Sequence, residues 1–394
     1  LKEKLIIRNF GPIKNVELEF GRFNVLIGEQ ATGKSTIAKV LAVCRYFSYI
    51  INGYKLDDPF LNGLLYYKLT NAIQPDTYIS YECDDYHFYV ERTGPDFPSF
   101  SSTLIAKSNK FKHLISELES IDAKPIRAEG ENFSVEGWRI PSSFFQNDVS
   151  RVMDNPFYLP TERGLQSIFS LGKNPDLSDS LFNQLSEIKR ITDNTWFNND
   201  IEIEPLDIIY RNENGIGKVK KNRETDFFLL NNAASGYQSA IPIVLLMKYY
   251  TEIRKKKKTF IVEEPEQNLF PTAQDKLVKF FADKAKSHNA ILLTTHSPYI
   301  LTSLNNLIYA YQVGQIYKKE VGKVIEEKYW VNPEQVSAYL LEYDEEQKGV
   351  VQESILDKEG LVKVKKIDGI SSVLNNEFNK LMNIELNIAD ETIS

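Results

Sequence analysis

Apolar and polar residues alternate from the start of the chain. Leu5 and Ile7 mark every second position of Lys4–Arg8, Asn9-Phe-Gly-Pro12 breaks the pattern, and Val16–Phe20 alternates again. A period of two predicts half-buried strands. Gly21-Arg22 turns the chain into Phe23-Asn-Val-Leu-Ile27, an apolar run that reads as a fully buried strand. The pattern then switches to a helical one over residues 34–50, with Thr36-Ile-Ala-Lys-Val-Leu-Ala42 at its centre.

From residue 52 to about 154 the pattern loosens and Tyr, Phe, Pro and Gly become frequent. Thr77–Glu91 predicts a hairpin about Asp84-Asp85, and Phe111, Leu114, Ile115 and Leu118 give Ser108–Ile121 a helical period. This region reads as an insertion, a small β-sheet with its own core. Phe157-Tyr-Leu-Pro160 returns to a core strand, Leu177–Ile191 predicts a helix, and Ile201–Leu230 holds strands with a hairpin at Asn212-Glu-Asn-Gly215. Ser235–Arg254 is an apolar helix, Thr259–Glu264 a strand, Thr272–His288 a helix, Ala290–Thr295 a strand and Ser297–Leu304 a short helix. Residues 306–330 read as closing strands, and the polar remainder carries one amphipathic stretch at Val373–Met382. No internal repeat and no sustained heptad run is visible.

Composition narrows the class. Hydrophobic residues make up 42% and charged residues 26% of 394, as in ordinary globular proteins. A net charge of −7 argues against a wholesale nucleic-acid coat; Arg254-Lys-Lys-Lys-Lys258 is the one dense basic cluster. Apolar runs such as Ile241–Met247 are too short to span a bilayer, so no membrane partner is expected. The two cysteines, Cys44 and Cys83, lack metal-ligand spacing, and a cytoplasmic location is expected.

The chemistry starts at Gly28-Glu-Gln-Ala-Thr-Gly-Lys-Ser-Thr36, which fits G-x-x-x-x-G-K-[ST] between a strand and a helix. Successive backbone N–H groups and the helix N-terminus cradle phosphate in such a loop. The nucleotide-binding candidates are therefore Gly28, Gln30, Ala31, Thr32, Gly33, Lys34, Ser35 and Thr36. Lys34 would reach the β- and γ-phosphates and Ser35 would hold Mg²⁺. Thr259-Phe-Ile-Val-Glu-Glu264 ends an apolar strand in adjacent carboxylates, the partner such a loop requires. The first acid supports Mg²⁺ and the second polarises the attacking water. His296 closes the next core strand, and Ser235-Gly236 opens a helix just before the acids.

The order Gly28–Thr36, Ser235–Ser239, Phe260–Glu264, His296 resembles the ATP-binding-cassette ATPases, and within them the soluble SMC/RecF/OLD-like branch. Ile7-Arg-Asn-Phe-Gly-Pro-Ile13 is similar to that branch too. The resemblance covers roughly 1–50 and 156–313. It implies an α/β fold: a cassette ATPase head with a mixed central sheet, an antiparallel N-terminal β lobe and an inserted aromatic-rich α+β lobe. The implied division is 1–50 and 156–330 for the core, 51–155 for the insertion and 331–394 for a C-terminal extension. Glu263 then takes the place of the usual magnesium-supporting aspartate. Glu264 is the catalytic base, His296 the γ-phosphate switch, and Ser235-Gly236 the signature that binds ATP held by a second protomer. The ligands implied are ATP and Mg²⁺. Departures are Glu263 in place of Asp, Tyr237 where a second glycine is usual, and a glutamine loop for which only Gln146 and Gln166 are candidates.

The resemblance extends to standalone ATPases of bacterial anti-phage systems of the Septu and PARIS type. It implies an ATP-dependent homodimer or higher oligomer that controls a separate effector, a nuclease or toxin. Fewer than a hundred residues follow His296, and they carry no Glu plus Asp-x-Asp constellation. Cleavage chemistry is therefore expected of a partner. The alternative is a RecF/SMC-like ATPase of DNA repair, with DNA as partner.

Overall fold

The computed structural model describes residues 3–45, 59–92, 100–109, 111–113, 125–126, 137–138, 156–163, 179–255, 257–286 and 289–363. Its first strands are β1 (Glu3–Phe10), β2 (Ile13–Phe20) and β3 (Phe23–Gly28), followed by α1 (Lys34–Arg45) and α2 (Pro59–Tyr66). Then come β4 (Ile73–Glu82), β5 (Tyr86–Arg92), β6 (Phe100–Ala106) and a two-residue ladder of β7 (Pro125–Ile126) with β8 (Gly137–Trp138). The middle of the chain gives β9 (Phe157–Leu159), α3 (Asp179–Thr192), β10 (Ile201–Ile203), β11 (Ile208–Glu213), β12 (Ile216–Lys221) and β13 (Phe228–Leu229). The last part gives α4 (Ser235–Lys248), β14 (Thr259–Glu263), α5 (Pro271–Lys284), β15 (Ala290–Thr295), α6 (Pro298–Gly314), α7 (Lys318–Val324), β16 (Val336–Asp344) and β17 (Gly349–Ser354). Among the described residues, no helix is long and apolar enough to cross a membrane.

One mixed sheet of 11 strands runs β6-β5-β4-β1-β2-β17-β16-β3-β15-β14-β9. One arm, β1 with β2, β4, β5 and β6, is antiparallel. The other, β16-β3-β15-β14-β9, is parallel throughout. Parallel strands are buried on both faces, which is why Phe23–Ile27 and Thr259–Glu263 are buried at every residue. Alternate side chains feed different cores. Phe23, Val25, Ile27, Phe260, Val262, Ile291 and Leu293 pack against α4, α5 and α6, whereas Leu26, Ile261 and Leu292 pack against α1 and the antiparallel arm. Each such side chain contributes about 1.5–3 kcal/mol of burial, so both cores clamp the parallel block. An ion pair between Glu3 of β1 and Arg45 of α1, both buried, ties the two ends of that second core.

Parallel order with matched registers sets the site. Thr295 lies opposite Ile27, Leu341 opposite Gly28, and Glu263 opposite Thr294. The carboxyl ends of β3, β14 and β15 therefore fall on one edge, where open α/β sheets bind ligands.

The hairpins about Asp84-Asp85 and Asn212–Gly215 form where the sequence places them. Three expectations are corrected. Residues 306–330 do not close the sheet as strands. Apolar residues at 300, 301, 304, 307 and 308 recur at helical spacing, and α6 and α7 occupy 298–324. The aromatic hairpin is not a separate small sheet: Leu5 pairs with Tyr81 and Ile7 with Ile79, so β4 continues the main sheet and shares its core. The stretch after residue 330, read as an extension, supplies β16 directly beside β3, and β17. Most of Ser108–Ile121, both Gln146 and Gln166, and Val373–Met382 lie outside the described residues.

Candidate functional site

The loop between β3 and α1 bends sharply because Ala31 (φ 62°) and Gly33 (φ 78°) both adopt left-handed backbone. Gly28 is fixed by close approach: a Cβ there would meet the Leu341 carbonyl oxygen at 2.4 Å and the Thr32 hydroxyl oxygen at 2.9 Å. Thr32 Oγ1 donates to the Glu29 carbonyl at 2.8 Å, and the Ile37 N–H donates to the Gly33 carbonyl at 2.9 Å, starting the helix. Lys34 is buried and folds back, its Nζ donating to the Gly28 and Glu29 carbonyls at 2.9 and 2.7 Å. Burial lowers its pKa, against the pull of Glu264, Glu266 and Glu263. Gln30 through Thr36 line an open cleft of about 350 Å³. Pro12 closes one side of it, and Glu264 and His296 share the lining. A larger cleft of about 840 Å³ adjoins it between Gly28–Thr32 and the β16–β17 hairpin.

The structure brings Glu263, Glu264 and His296 to this edge, in different environments. Glu263 ends β14 and is 4% exposed, and its Oε1 has no hydrogen-bond partner among the described residues. The Tyr158 hydroxyl in β9 is held well above its usual range by burial and by the Glu263 charge. Glu264 leaves the strand with φ 41°, its N–H donating to the Thr294 carbonyl at 2.8 Å. That left-handed turn separates the two carboxylates. A non-glycine residue held there costs of order 1 kcal/mol or more. The Glu264 Oε1 lies 3.2 Å from His296 Nε2.

Two residues hold this arrangement. Glu266 Oε1 accepts from the Thr295 hydroxyl at 2.7 Å and from the His296 N–H at 2.8 Å, which fixes the backbone that presents the imidazole. Arg163 is fully buried after β9. Its guanidinium donates to the carbonyls of Pro160 (2.9 Å), Ser239 (2.9 Å), Glu263 (2.6 Å) and Glu264 (2.7 Å). Burial lowers its pKa to about 10, with Glu266, Glu263 and Glu264 opposing, so it remains a cation at neutral pH.

Ser235 and Gly236 open α4, Ser235 exposed and Gly236 buried. Neither lines the two clefts at the loop. Gly236 is set against the turn after Glu264, since a Cβ there would meet the Asn268 carbonyl oxygen at 2.5 Å. Ser239 Oγ donates to the Gln267 carbonyl at 2.9 Å across the same junction.

A divalent cation with nucleotide fits these residues. No group of three or more His, Cys, Asp or Glu able to hold a metal alone exists among the described residues. Magnesium does not need one, because it binds through one or two protein oxygens, waters and substrate phosphates. The buried, unpartnered Oε1 of Glu263 and the Ser35 hydroxyl at the start of α1 suit that mode. Sequence reasoning missed what Glu266 and Arg163 do. Glu266 had no signal beyond standing two residues after the acidic pair, and Arg163 stood in Pro160-Thr-Glu-Arg-Gly164 without an assigned task.

The family model described as "AAA ATPase domain" matches residues 2–131 and 160–301. No curated protein matches the chain. Among solved structures, the chain is similar to the SMC head domain from Thermotoga maritima, at 9% identity and TM-score 0.42 over 90% of this chain and 99% of that one. It is also similar to the Smc head domain with an extended coiled coil bound to the C-terminal domain of ScpA derived from Pyrococcus furiosus. That match has 8% identity and TM-score 0.47 over 94% of this chain and 99% of that one.

Proposed function

This chain belongs to the AAA ATPase domain family, and from that premise we propose that it binds ATP with Mg²⁺ and hydrolyses it between two copies of itself. The observation that carries the proposal is the pair of Glu264 and His296, in contact at 3.2 Å and sharing one cleft with the phosphate loop. Glu264 accepts a proton from water as its oxygen attacks the γ-phosphorus, while the bond to the β-phosphate oxygen breaks and ADP leaves. Lys34 and the loop N–H groups balance the charge that develops on the phosphates. His296 contacts the γ-phosphate and registers its loss. Ser35 and Glu263 hold Mg²⁺, which supplies charge neutralisation when bound.

The resemblance to cassette ATPases implies that Ser235 binds ATP held by a second protomer, and its exposure outside both clefts is compatible with that task. ATP then joins two heads and hydrolysis releases them. At the level of the cell, the resemblance to standalone ATPases of anti-phage systems supports a sensor or scaffold that controls a separate nuclease or toxin. The other reading, a DNA-binding ATPase of repair, needs a free basic face. The basic run Arg254-Lys-Lys-Lys-Lys258 is the sequence's candidate for a basic face.

The test uses Glu264→Gln, expressed beside its neighbouring genes and captured with ATP and Mg²⁺. A stoichiometric nuclease or toxin that is lost in Lys34→Ala supports the effector reading. Salt-sensitive DNA with no protein partner would sink it in favour of the repair ATPase.

A further inference from the structure

Four carbonyl oxygens converge on the buried guanidinium of Arg163, and they come from three different elements. Pro160 ends β9. Ser239 sits in the second turn of α4, the helix that carries Ser235. Glu263 and Glu264 are the acids themselves. Among the described residues, this cation hydrogen-bonds backbone carbonyls and no carboxylate oxygen. A planar, five-donor fork is suited to grip several carbonyls at fixed relative positions. It contacts main chain whose position sets side chains elsewhere.

The consequence is largest at Glu264. Its left-handed backbone (φ 41°) is held on its N–H by the Thr294 carbonyl and on its own carbonyl by Arg163 at 2.7 Å and by the Gln267 N–H at 3.1 Å. Without Arg163 the strained turn keeps only the longer Gln267 bond on that carbonyl, which would loosen the placement of the carboxylate against His296. The same guanidinium holds Ser239, whose side chain ties α4 to the Gln267 carbonyl, just where Gly236 lies against Asn268.

We propose that Arg163 is a positioning residue which, with Ser239, makes the helix presenting Ser235 and the backbone presenting Glu264 move as one body. Engagement of Ser235 by the second protomer's ATP is thereby felt as the orientation of the carboxylate that activates water in the same chain. Docking of the signature helix therefore acts on the backbone that presents each protomer's own base. The inference rests on the two-headed reading above and adds to it the route by which docking switches on chemistry.

The experiment measures steady-state ATP turnover, fluorescent-nucleotide affinity and thermal unfolding for wild type, Arg163→Lys, Arg163→Gln, Ser235→Ala and the double variant Arg163→Lys with Ser235→Ala. Arg163→Lys is expected to keep KM and nucleotide affinity while kcat falls about tenfold or more, as sub-ångström misplacement of a reacting group does. Ser235→Ala is expected to lower kcat strongly in wild type and little further in Arg163→Lys, since coupled residues are non-additive. Lowered melting with unchanged kcat, or full multiplication of the two effects, overturns the proposal and leaves Arg163 a structural tie. Where both Arg163 variants fail to fold, Ser239→Ala carries the test: kcat reduced at unchanged KM supports the proposal, and unchanged kcat overturns it. Wild type with no ATP turnover sinks the underlying reading as well. Active wild type with fully active variants sinks only this one.

Discussion

Gly236→Ala is the sharpest single perturbation of the site, because its cost follows from a contact with backbone. The added Cβ would stand 2.5 Å from the Asn268 carbonyl oxygen and 3.1 Å from Leu269 Cδ2. Carbon and carbonyl oxygen settle at about 3.3 Å or beyond, so α4 and the turn after Glu264 must part by about 0.8 Å. Asn268 cannot give way freely, since it is itself left-handed at φ 60°. Overpacking of this kind costs about 1–3 kcal/mol, which lowers Tm by several degrees at about 2–4 °C per kcal/mol. The displacement lies between Ser235 and Glu264 and spares the loop at Gly28–Thr36. Nucleotide affinity of the isolated protomer is therefore expected to hold while ATP turnover falls about tenfold to a hundredfold. Scanning fluorimetry, a fluorescent-nucleotide titration and phosphate release measure the three quantities. Gly322→Ala in α7 is the control: a Cβ there meets nothing within 4 Å, and melting should be unchanged or slightly raised. A Gly236→Ala protein that melts and hydrolyses like wild type would refute the packing of α4 on the turn.

Two further perturbations separate stability from chemistry. Lys34→Met is expected to abolish ATP binding in an equilibrium titration yet leave the nucleotide-free protein at least as stable as wild type. Burial depresses the Lys34 pKa, so between that value and 10.5 the unfolded chain binds more protons. The buried cation therefore costs stability at neutral pH, and that cost is relieved as pH rises toward 10.5. Removing the charge removes the cost, and a clear drop in the melting temperature of nucleotide-free Lys34→Met would contradict this. Glu3→Gln breaks the pair that Glu3 makes with Arg45, buried on both sides. Denaturant melts should show a loss of about 3–5 kcal/mol, with nucleotide affinity of the remaining folded protein unchanged.

Three strands of the parallel half, β3, β14 and β15, were legible because each is a short apolar run next to a chemical landmark. Phe23–Ile27 runs into the loop, Phe260–Val262 into the acids, and Ile291–Thr295 into His296. The closing strands were not legible. Val336–Leu341 alternates buried with half-buried residues in a polar context, and only pairing with β3 shows that it belongs at the centre of the sheet. In α6, Asn305-Asn306 reads as a break, but Asn305 turns its side chain to residue 362, donating to the Val362 carbonyl and accepting from its N–H, and the helix continues. The hairpin at Asp84-Asp85 was visible locally, yet its membership of the main sheet depends on the match of Ile79 and Tyr81 with β1, some seventy residues away.

The site divides the same way, between groups proposed to meet ligand and groups that meet backbone. Phosphate chemistry demands particular side chains at particular spacings, so Lys34, Ser35, Glu264 and His296 announce themselves. Arg163 and Glu266 serve the main chain, and any pattern that would reveal them is written in carbonyl and N–H positions, not in residue types. Glu266 spends one oxygen on Thr295 and His296, and Arg163 spends its whole fork on peptide oxygens. Their effect is nonetheless specific. The left-handed backbone at Glu264 is held at its N–H by Thr294 and at its carbonyl by Arg163 and Gln267, and this backbone is what presents the carboxylate 3.2 Å from His296.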